Sequence, residues 1–204
     1  MQEIYLIRHW QSEWNSKNVK QWLIDYKLTE EWILQVKSLL LLKDLKNIDL
    51  FFSSDYKRAY ETAKLLSNWN DIIVDKRLRE WNVFPEKNNY KLTPENRKKI
   101  NPYLLRYEKT KKYWQWESFL DIHNRLYDFL KDNIFNKHHK KIVIVSHAWT
   151  INHLIYLFLF GKNNNANLHY YFITKFSHIK NASVTKIIFK ENSYKIDYFN
   201  LVNY

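Results

Sequence analysis

The sequence predicts an α/β fold, a three-layer sandwich with a mostly parallel central sheet and helices on both faces. Three observations carry this reading. The apolar run Ile4-Tyr5-Leu6-Ile7 leads straight into Arg8-His9. A second run, Ile142-Val143-Ile144-Val145, leads into Ser146-His147. Between and after them, strand-like and helix-like segments alternate along the chain. Unbroken apolar runs rich in β-formers read as strands buried on both faces. In open α/β sheets, ligands bind at the carboxyl edge of the strands. One histidine at a strand end is commonly no more than a hydrogen-bonded group. Two parallel strands with histidine at the same end would bring His9 and His147 together from far apart in the chain.

The elements follow in order. Trp10 to Lys20 is polar and reads as the loop at the mouth of the sheet. Thr29 is placed as the N-cap of a helix carrying Ile33, Val36, Leu39, Leu40 and Leu42. Asp49 to Ser53 reads as a second strand. A helix opens at Asp55 and runs to about Leu66, and Ile72-Ile73-Val74 is a short third strand. Pro85 to Asn101 is polar, with Pro94 and the basic run Arg97-Lys98-Lys99, and reads as part of a cap over the sheet. A helix from about Glu117 to Asn133 puts Phe119, Ile122, Leu126, Phe129 and Leu130 on one face. An apolar helix from Ile151 follows the His147 strand. Asn163 to Asn167 is a loop, and Ala182–Phe189 and Tyr194–Phe199 close the fold as a β pair around a Glu191-Asn192-Ser193 turn.

At 204 residues the chain is one domain, with a cap-like insertion at about 82–116. It has no cysteine, which excludes disulfides, a thiol nucleophile and a Cys-ligated metal. No basic segment followed by an apolar one opens the chain, so a signal peptide is not expected and a cytoplasmic location is. The longest apolar run, Ile151 to Phe160, is interrupted by Asn152 and His153 and is too short to span a bilayer, so no membrane partner is expected. A net charge of +12 favours anionic partners. Abundant Lys, Asn, Ile and Tyr together also fit an AT-rich genome, in which lysine collects on solvated faces. No basic-aromatic repeat marks a nucleic-acid surface. The oligomeric state is left open, a homodimer included.

The motifs add a resemblance. Arg8-His9-Trp10-Gln11-Ser12-Glu13-Trp14-Asn15 resembles the Arg-His-Gly-(Glu/Gln)-(Ser/Thr) signature of the histidine phosphatase superfamily, the phosphoglycerate-mutase-like fold, with its asparagine a few residues on. Ser53 to Ala63 resembles the family's Ser-Ser-Asp-x-x-Arg-Ala-x-x-Thr-Ala block. Leu78-Arg79-Glu80 is similar to its Leu-x-Glu segment, and Glu117-Ser118 with Arg125 to its Gly-Glu-Ser helix start. Val145 to Ile151 is similar to its Ser-His-Gly-Gly-x-Ile block, and Asn181 to Val184 to its last strand. These blocks occur in the family's order over nearly the whole chain.

The resemblance implies a function and its residues. His9 would be the nucleophile that forms a phosphohistidine. Arg8 and Arg58 would clamp phosphoryl oxygens, with Asn15 as a neutral donor and Ser12 touching phosphate. His147 would donate to the same oxygens, and Glu80 would be the general acid and then the base, although Glu13 and other acids stand near the mouth. Ser54 would support its loop. His138, His139, His153, His169 and His178 read as surface or packing residues, and Arg97 to Lys99 as a solvated face. The implied activity is phosphomonoester hydrolysis of a small phosphorylated metabolite, with no metal and no cofactor. A phosphoglycerate mutase is the alternative, although Leu78-Arg79-Glu80-Trp81-Asn82 differs from that branch's Leu-Asn-Glu-Arg-His-Tyr-Gly run and the chain is short. A catalytically impaired phospho-ligand binding protein is the third reading.

The departures share a pattern. The family has glycine where this chain has Trp10, Trp116 and Trp149, and commonly at Trp22 and Trp32; the chain holds nine Trp and one Gly. Some genetic codes assign UGA to glycine, and a translation that reads it as tryptophan would produce this substitution. Indoles at positions 10 and 149 could crowd the pocket. Protein purified from its native source is expected to have an intact mass below that of the written sequence, by one indole-bearing side chain for each such position. A mass equal to the written sequence would make every tryptophan genuine.

Overall fold

The computed structural model describes residues 1–10, 39, 42–68, 70–81, 117–135, 137–162, 166–175 and 178–202. Several predicted features lie outside these: Asn15, most of the helix after Thr29, the cap at about 82–116, and Trp22, Trp32 and Trp116.

Six strands are described: β1 (Gln2–Arg8), β2 (Leu50–Ser53), β3 (Ile72–Val74), β4 (Lys141–Ser146), β5 (Val184–Lys190) and β6 (Ser193–Leu201). They form one sheet in the order β3-β2-β4-β1-β5-β6. The pairs β1/β4, β2/β4 and β2/β3 are parallel, while β1/β5 and β5/β6 are antiparallel. Among the described residues the helices with both ends in view are α1 (Lys57–Leu66), α2 (Phe119–Asn133), α3 (Ala148–Phe160) and α4 (Ala166–Lys175).

The period of two along the central strands divides the core. Ile4 and Leu6 of β1, Phe52 of β2, and Ile142 and Ile144 of β4 face a cluster with Ile122, Leu126 and Phe129 of α2 and Ile151, Leu154 and Ile155 of α3. Tyr5, Ile7, Phe51, Val143 and Val145 point the other way, into a cluster with Ala59, Ala63 and Leu66 of α1. Both faces of the sheet are therefore covered, which is why these strands read as continuous apolar runs. Helix α3 is buried all round from Thr150 to Phe158, as expected for a helix apolar on every side. Helix α2 starts with a capping box in which Ser118 Oγ accepts from the Asp121 N–H and Asp121 accepts from the Ser118 N–H.

Several predicted boundaries move. Helix α1 begins at Lys57 rather than Asp55, because Tyr56 is extended at its N-cap and the Asp55 carboxylate is held by Arg79. Helix α3 begins at Ala148, before Ile151. The stretch read as a loop through Asn167 already belongs to α4 from Ala166 on, a helix that the polar asparagine run concealed. The closing hairpin forms as expected, but Ala182 lies in the preceding turn and Ser193 in β6.

A chain with one glycine must make its left-handed turns from other residues. Asn47, Asn68, Asn192 and Asn200 supply four positive-φ positions, with Ala182 and Glu191 alongside. Asparagine tolerates this region because its short amide bonds to nearby backbone. Gly161 sits at the C-cap of α3 with φ 63 and ψ −156, a combination essentially reserved for glycine. No neighbouring atom lies within 4 Å of where its Cβ would be, so any cost of a side chain comes from the backbone. Gly161→Ala is expected to lower unfolding stability by about 1–3 kcal/mol, measured by denaturant titration, with the fold unchanged by circular dichroism.

Candidate active site

The site is assembled at the carboxyl ends of β1, β4 and β2. In the β1/β4 ladder Arg8 lies opposite Ser146, so His9 and His147 are the next residues out on neighbouring strands. The His9 N–H donates to Ser146 O at 2.9 Å, and the two imidazole centroids stand 5.0 Å apart in a T-shaped arrangement. Strand β2 ends beside β4, where the Ser54 N–H donates to Val145 O at 3.1 Å. The first turn of α1 then carries Arg58 inward, where it is 1% exposed. Arg58 Nε donates to His9 Nε2 at 3.2 Å, and its guanidinium carbon lies 4.8 Å from the Tyr56 ring centre. Arg8 is anchored by a bond from Nη1 to Ile179 O. His9, His147 and Arg58 therefore meet, and Arg8 and Glu80 lie within electrostatic reach of them, while Asn15 lies outside the described residues.

Hydrogen bonding defines the His9 tautomer. Nδ1 is 2.7 Å from Trp10 O, and a carbonyl only accepts, so the ring proton sits on Nδ1. Nε2 is then the lone-pair nitrogen, in agreement with its accepting from Arg58. Burial, then the charges of Arg58 and Arg8, hold His9 well below the usual imidazole range, so it is neutral at neutral pH.

His147 is governed by Ser54. Its Nε2 is 3.0 Å from Ser54 Oγ, and that hydroxyl already accepts from the Tyr56 N–H at 3.3 Å. A serine hydroxyl can donate as well as accept; with Ser54 donating to Nε2, the His147 proton sits on Nδ1. That Nδ1 is buried without a hydrogen-bond partner among the described residues. A buried donor left unmatched in this way suits an anion that arrives later. Burial and Arg58 keep His147, too, well below the ordinary imidazole value.

Glu80 follows the 3-10 turn Lys76–Leu78. Its Oε1 accepts from the Trp81 N–H at 3.0 Å and from the Thr150 N–H at 3.3 Å. Burial raises its pKa; those two N–H groups, Arg58 and Arg8 oppose burial without cancelling it. A carboxyl pushed upward beside two guanidinium groups can hold a proton and release it during a reaction.

The tryptophans at 10 and 149 lie to the sides of this constellation. Trp10 is fully buried in the α1-side cluster with Ala59 and Ala63, and its N–H reaches Thr62 Oγ1 at 3.4 Å. Trp149 packs against the opposite cluster, 5.5 Å from the Trp81 ring. Neither residue has positive φ, so backbone conformation alone does not demand glycine at either position.

The profile of the histidine phosphatase superfamily (branch 1) matches residues 4–202. The chain belongs to this family. A Hydrogenobacter thermophilus protein provisionally named phosphoserine phosphatase 2 is 28% identical over 205 residues, 98% of this chain and 96% of the relative. Among solved structures, a phosphoserine phosphatase from Entamoeba histolytica in complex with 3-phosphoglyceric acid superposes with a TM-score of 0.75 at 22% identity, covering 99% of this chain and 98% of that one. A mycobacterial glucosyl-3-phosphoglycerate phosphatase in complex with VO3 gives 0.73 at 24% identity, over 98% and 99% of the two chains. At these identities the structural likeness concerns the fold.

Sequence reasoning about this histidine phosphatase gave Ser54 only loop support and did not single out Thr150, Ser146 or Tyr56 as part of the site. Each lies in or beside a recognised block, but one-dimensional spacing carries no signal for a contact across 93 residues such as Ser54 to His147. It also passed over His123. Beneath α2, α3 and α4, His153 Nδ1 lies 2.9 Å from His169 Nε2, and the His123 ring is 4.9 Å from that of His169. Among the described residues no group of three or more His, Cys, Asp or Glu is arranged to hold a metal ion. Burial, with Lys162 nearby, lowers His123 to about 4. Burial, with His123, lowers His169 to about 3. Burial, then His169, His123 and Arg125, holds His153 well below its usual value.

The unfolded chain therefore binds more protons than the folded one below pH about 6.5. These histidines favour the folded state above that pH, and the contribution is lost as the pH falls toward about 4. The loss amounts to about 1.4 kcal/mol per pH unit for each fully neutral histidine. Stability measured by urea titration is expected to drop between pH 6.5 and 4.5, and His123→Phe to flatten that drop. An equal slope in the variant would remove His123 from the acid response.

Proposed function

We propose that the protein is a phosphomonoesterase acting on a small phosphorylated metabolite through a phosphohistidine on His9. The observation that carries the proposal is the His9 ring, buried and neutral, with Nδ1 tied to Trp10 O and Nε2 facing Arg58 beside His147. Relatives named for phosphoserine and glucosyl-3-phosphoglycerate hydrolysis support the substrate class.

The proposed chemistry proceeds in two displacements. A phosphomonoester enters and its oxygens draw Arg58 away from Nε2, since a phosphate is a stronger acceptor for a guanidinium than imidazole is. Arg8 and Arg58 offset the phosphoryl charge, and His147 Nδ1–H donates as charge moves onto the equatorial oxygens. His9 Nε2 attacks phosphorus, the ester P–O bond breaks, and the leaving oxygen takes the proton of Glu80. Water then attacks phosphorus and gives a proton to Glu80, the P–Nε2 bond breaks with its electron pair returning to His9, and inorganic phosphate leaves with His9 again neutral. The guanidinium groups supply the positive charge, so no metal is assigned a role. A cytoplasmic location is part of the proposal and is compatible with a cysteine-free chain.

His9→Ala is expected to lower kcat for a generic aryl phosphate by at least about 10³-fold, as loss of a nucleophile does, and to abolish trapping of labelled phosphate on the protein after acid-free quenching. Turnover by the variant at the wild-type rate overturns the assignment. Conversion of 3- to 2-phosphoglycerate without phosphate release would instead make the enzyme a mutase. The kcat/KM profile is expected to fall at acid pH as His9 gains a proton, at a pH below the ordinary imidazole range. It is expected to fall on the alkaline side as Glu80 loses one, above the ordinary carboxylate range. Glu80→Gln should remove the alkaline limb.

A further inference from the structure

Glu80 belongs to no strand and no α-helix. Neither a β ladder nor a helical repeat sets where its carboxyl stands. The carbonyls that precede and include it are nevertheless all engaged from outside the segment. Arg125 Nη1 donates to Arg77 O. Ser146 Oγ donates to Leu78 O at 2.7 Å. Thr150 Oγ1 donates to Arg79 O at 2.7 Å, and Arg125 Nη2 reaches the same oxygen at 3.0 Å and Glu80 O at 3.4 Å. Four consecutive carbonyls are thus held by three side chains, and Arg125 alone takes three of them.

Arg125 is itself held. It projects from α2 to Glu117, whose carboxylate accepts from Nε and, at 2.9 Å, from Nη2. The Glu117 carbonyl in turn accepts from Trp81 Nε1 at 2.9 Å, so the residue after Glu80 is pinned to the same point. A guanidinium has five N–H groups in a rigid fork, and this one spreads them between a carboxylate and the peptide oxygens of Arg77, Arg79 and Glu80. A lysine ammonium in its place could neither reach both nor hold a plane. Burial, Arg58 and Arg8 act on the Glu80 carboxyl electrostatically, while Arg125 is bonded to its backbone.

We propose that Arg125, oriented by Glu117, is a positioning residue for the proton transfer by Glu80, setting where that carboxyl meets the leaving oxygen without touching the substrate. This rests on the reading of Glu80 as general acid. Displacement of a catalytic group by about 1 Å can cost about 10²-fold in rate. The loss should depend on how much the leaving group needs a proton, because a good leaving group departs without one.

The test compares the wild type with Arg125→Lys, Glu117→Gln and Glu80→Gln. Steady-state kinetics use an alkyl phosphate, and a pre-steady-state burst is followed with 4-nitrophenyl phosphate. Arg125→Lys is expected to lower kcat on the alkyl phosphate about 10²-fold, with KM within about twofold, as for removal of a well-placed group. It is expected to retain a burst of 4-nitrophenol near the wild-type rate, with slower turnover afterwards because water attack also needs Glu80. Glu117→Gln should show the same selectivity to a smaller degree and guards against a folding defect in the first variant. Equal losses on both substrates in both variants, or wild-type behaviour in both while Glu80→Gln is selective, overturn the positioning role alone. An unselective Glu80→Gln overturns the general-acid reading, and the positioning role with it.

Discussion

The pairing of β1 with β4 is the constraint on which the site depends. Arg8 lies opposite Ser146, and the ladder continues one bond further, from the His9 N–H to Ser146 O. A slip of one residue would turn every side chain of β1 to the other face. Ile4 and Leu6 would then leave the α2/α3 cluster, and Tyr5 and Ile7 the α1 cluster. Burial on both faces therefore holds the register, and the register holds His9 against His147. The same β4 residues tie in β2 through the Ser54 N–H to Val145 O bond, which brings Ser54 onto His147 and starts the turn that delivers Arg58.

Burial then shapes the electrostatics. Two imidazoles, two guanidinium groups and one carboxyl share a region from which water is largely excluded. Burial, reinforced by the guanidinium charges, drives the histidines to their neutral forms, and burial lets the carboxyl stay protonated against the pull of those same charges. Both histidines are neutral; a backbone carbonyl fixes the His9 tautomer, and the Ser54 hydroxyl, when it donates, sets the same tautomer in His147. One presents a lone pair and the other a proton, a division of labour suited to attack on a phosphoryl group and to stabilising its oxygens.

Glycine scarcity and tryptophan abundance have separate structural answers. Among the described residues left-handed positions are filled mostly by asparagine, with Ala182 and Glu191 alongside, and the one glycine occupies a backbone geometry for which no other residue is suited. The Trp10 indole is buried in the cluster that holds the small side chains of Ala59 and Ala63, and Trp149 packs half-buried against the cluster on the other side of the sheet. Neither position has the positive φ that would require glycine.

Much of this was legible in the amino-acid order. The runs ending in Arg8-His9 and Ser146-His147 specified buried parallel strands with histidine at a shared edge, because continuous apolar character has few other uses in a short segment. The recognised blocks then named Arg58 and Glu80. Helix α4 escaped because an asparagine run hid its start, and the start of α1 shifted by two residues where Asp55 was drawn to Arg79 and Tyr56 stayed extended. Only the assembled sheet could decide the rest: which nitrogen of His9 carries its proton, that Ser54 reaches His147 across 93 residues, and that Arg125 holds the backbone beneath Glu80. These are contacts between segments remote in the chain. They come from strand order and helix packing, which one-dimensional spacing does not encode.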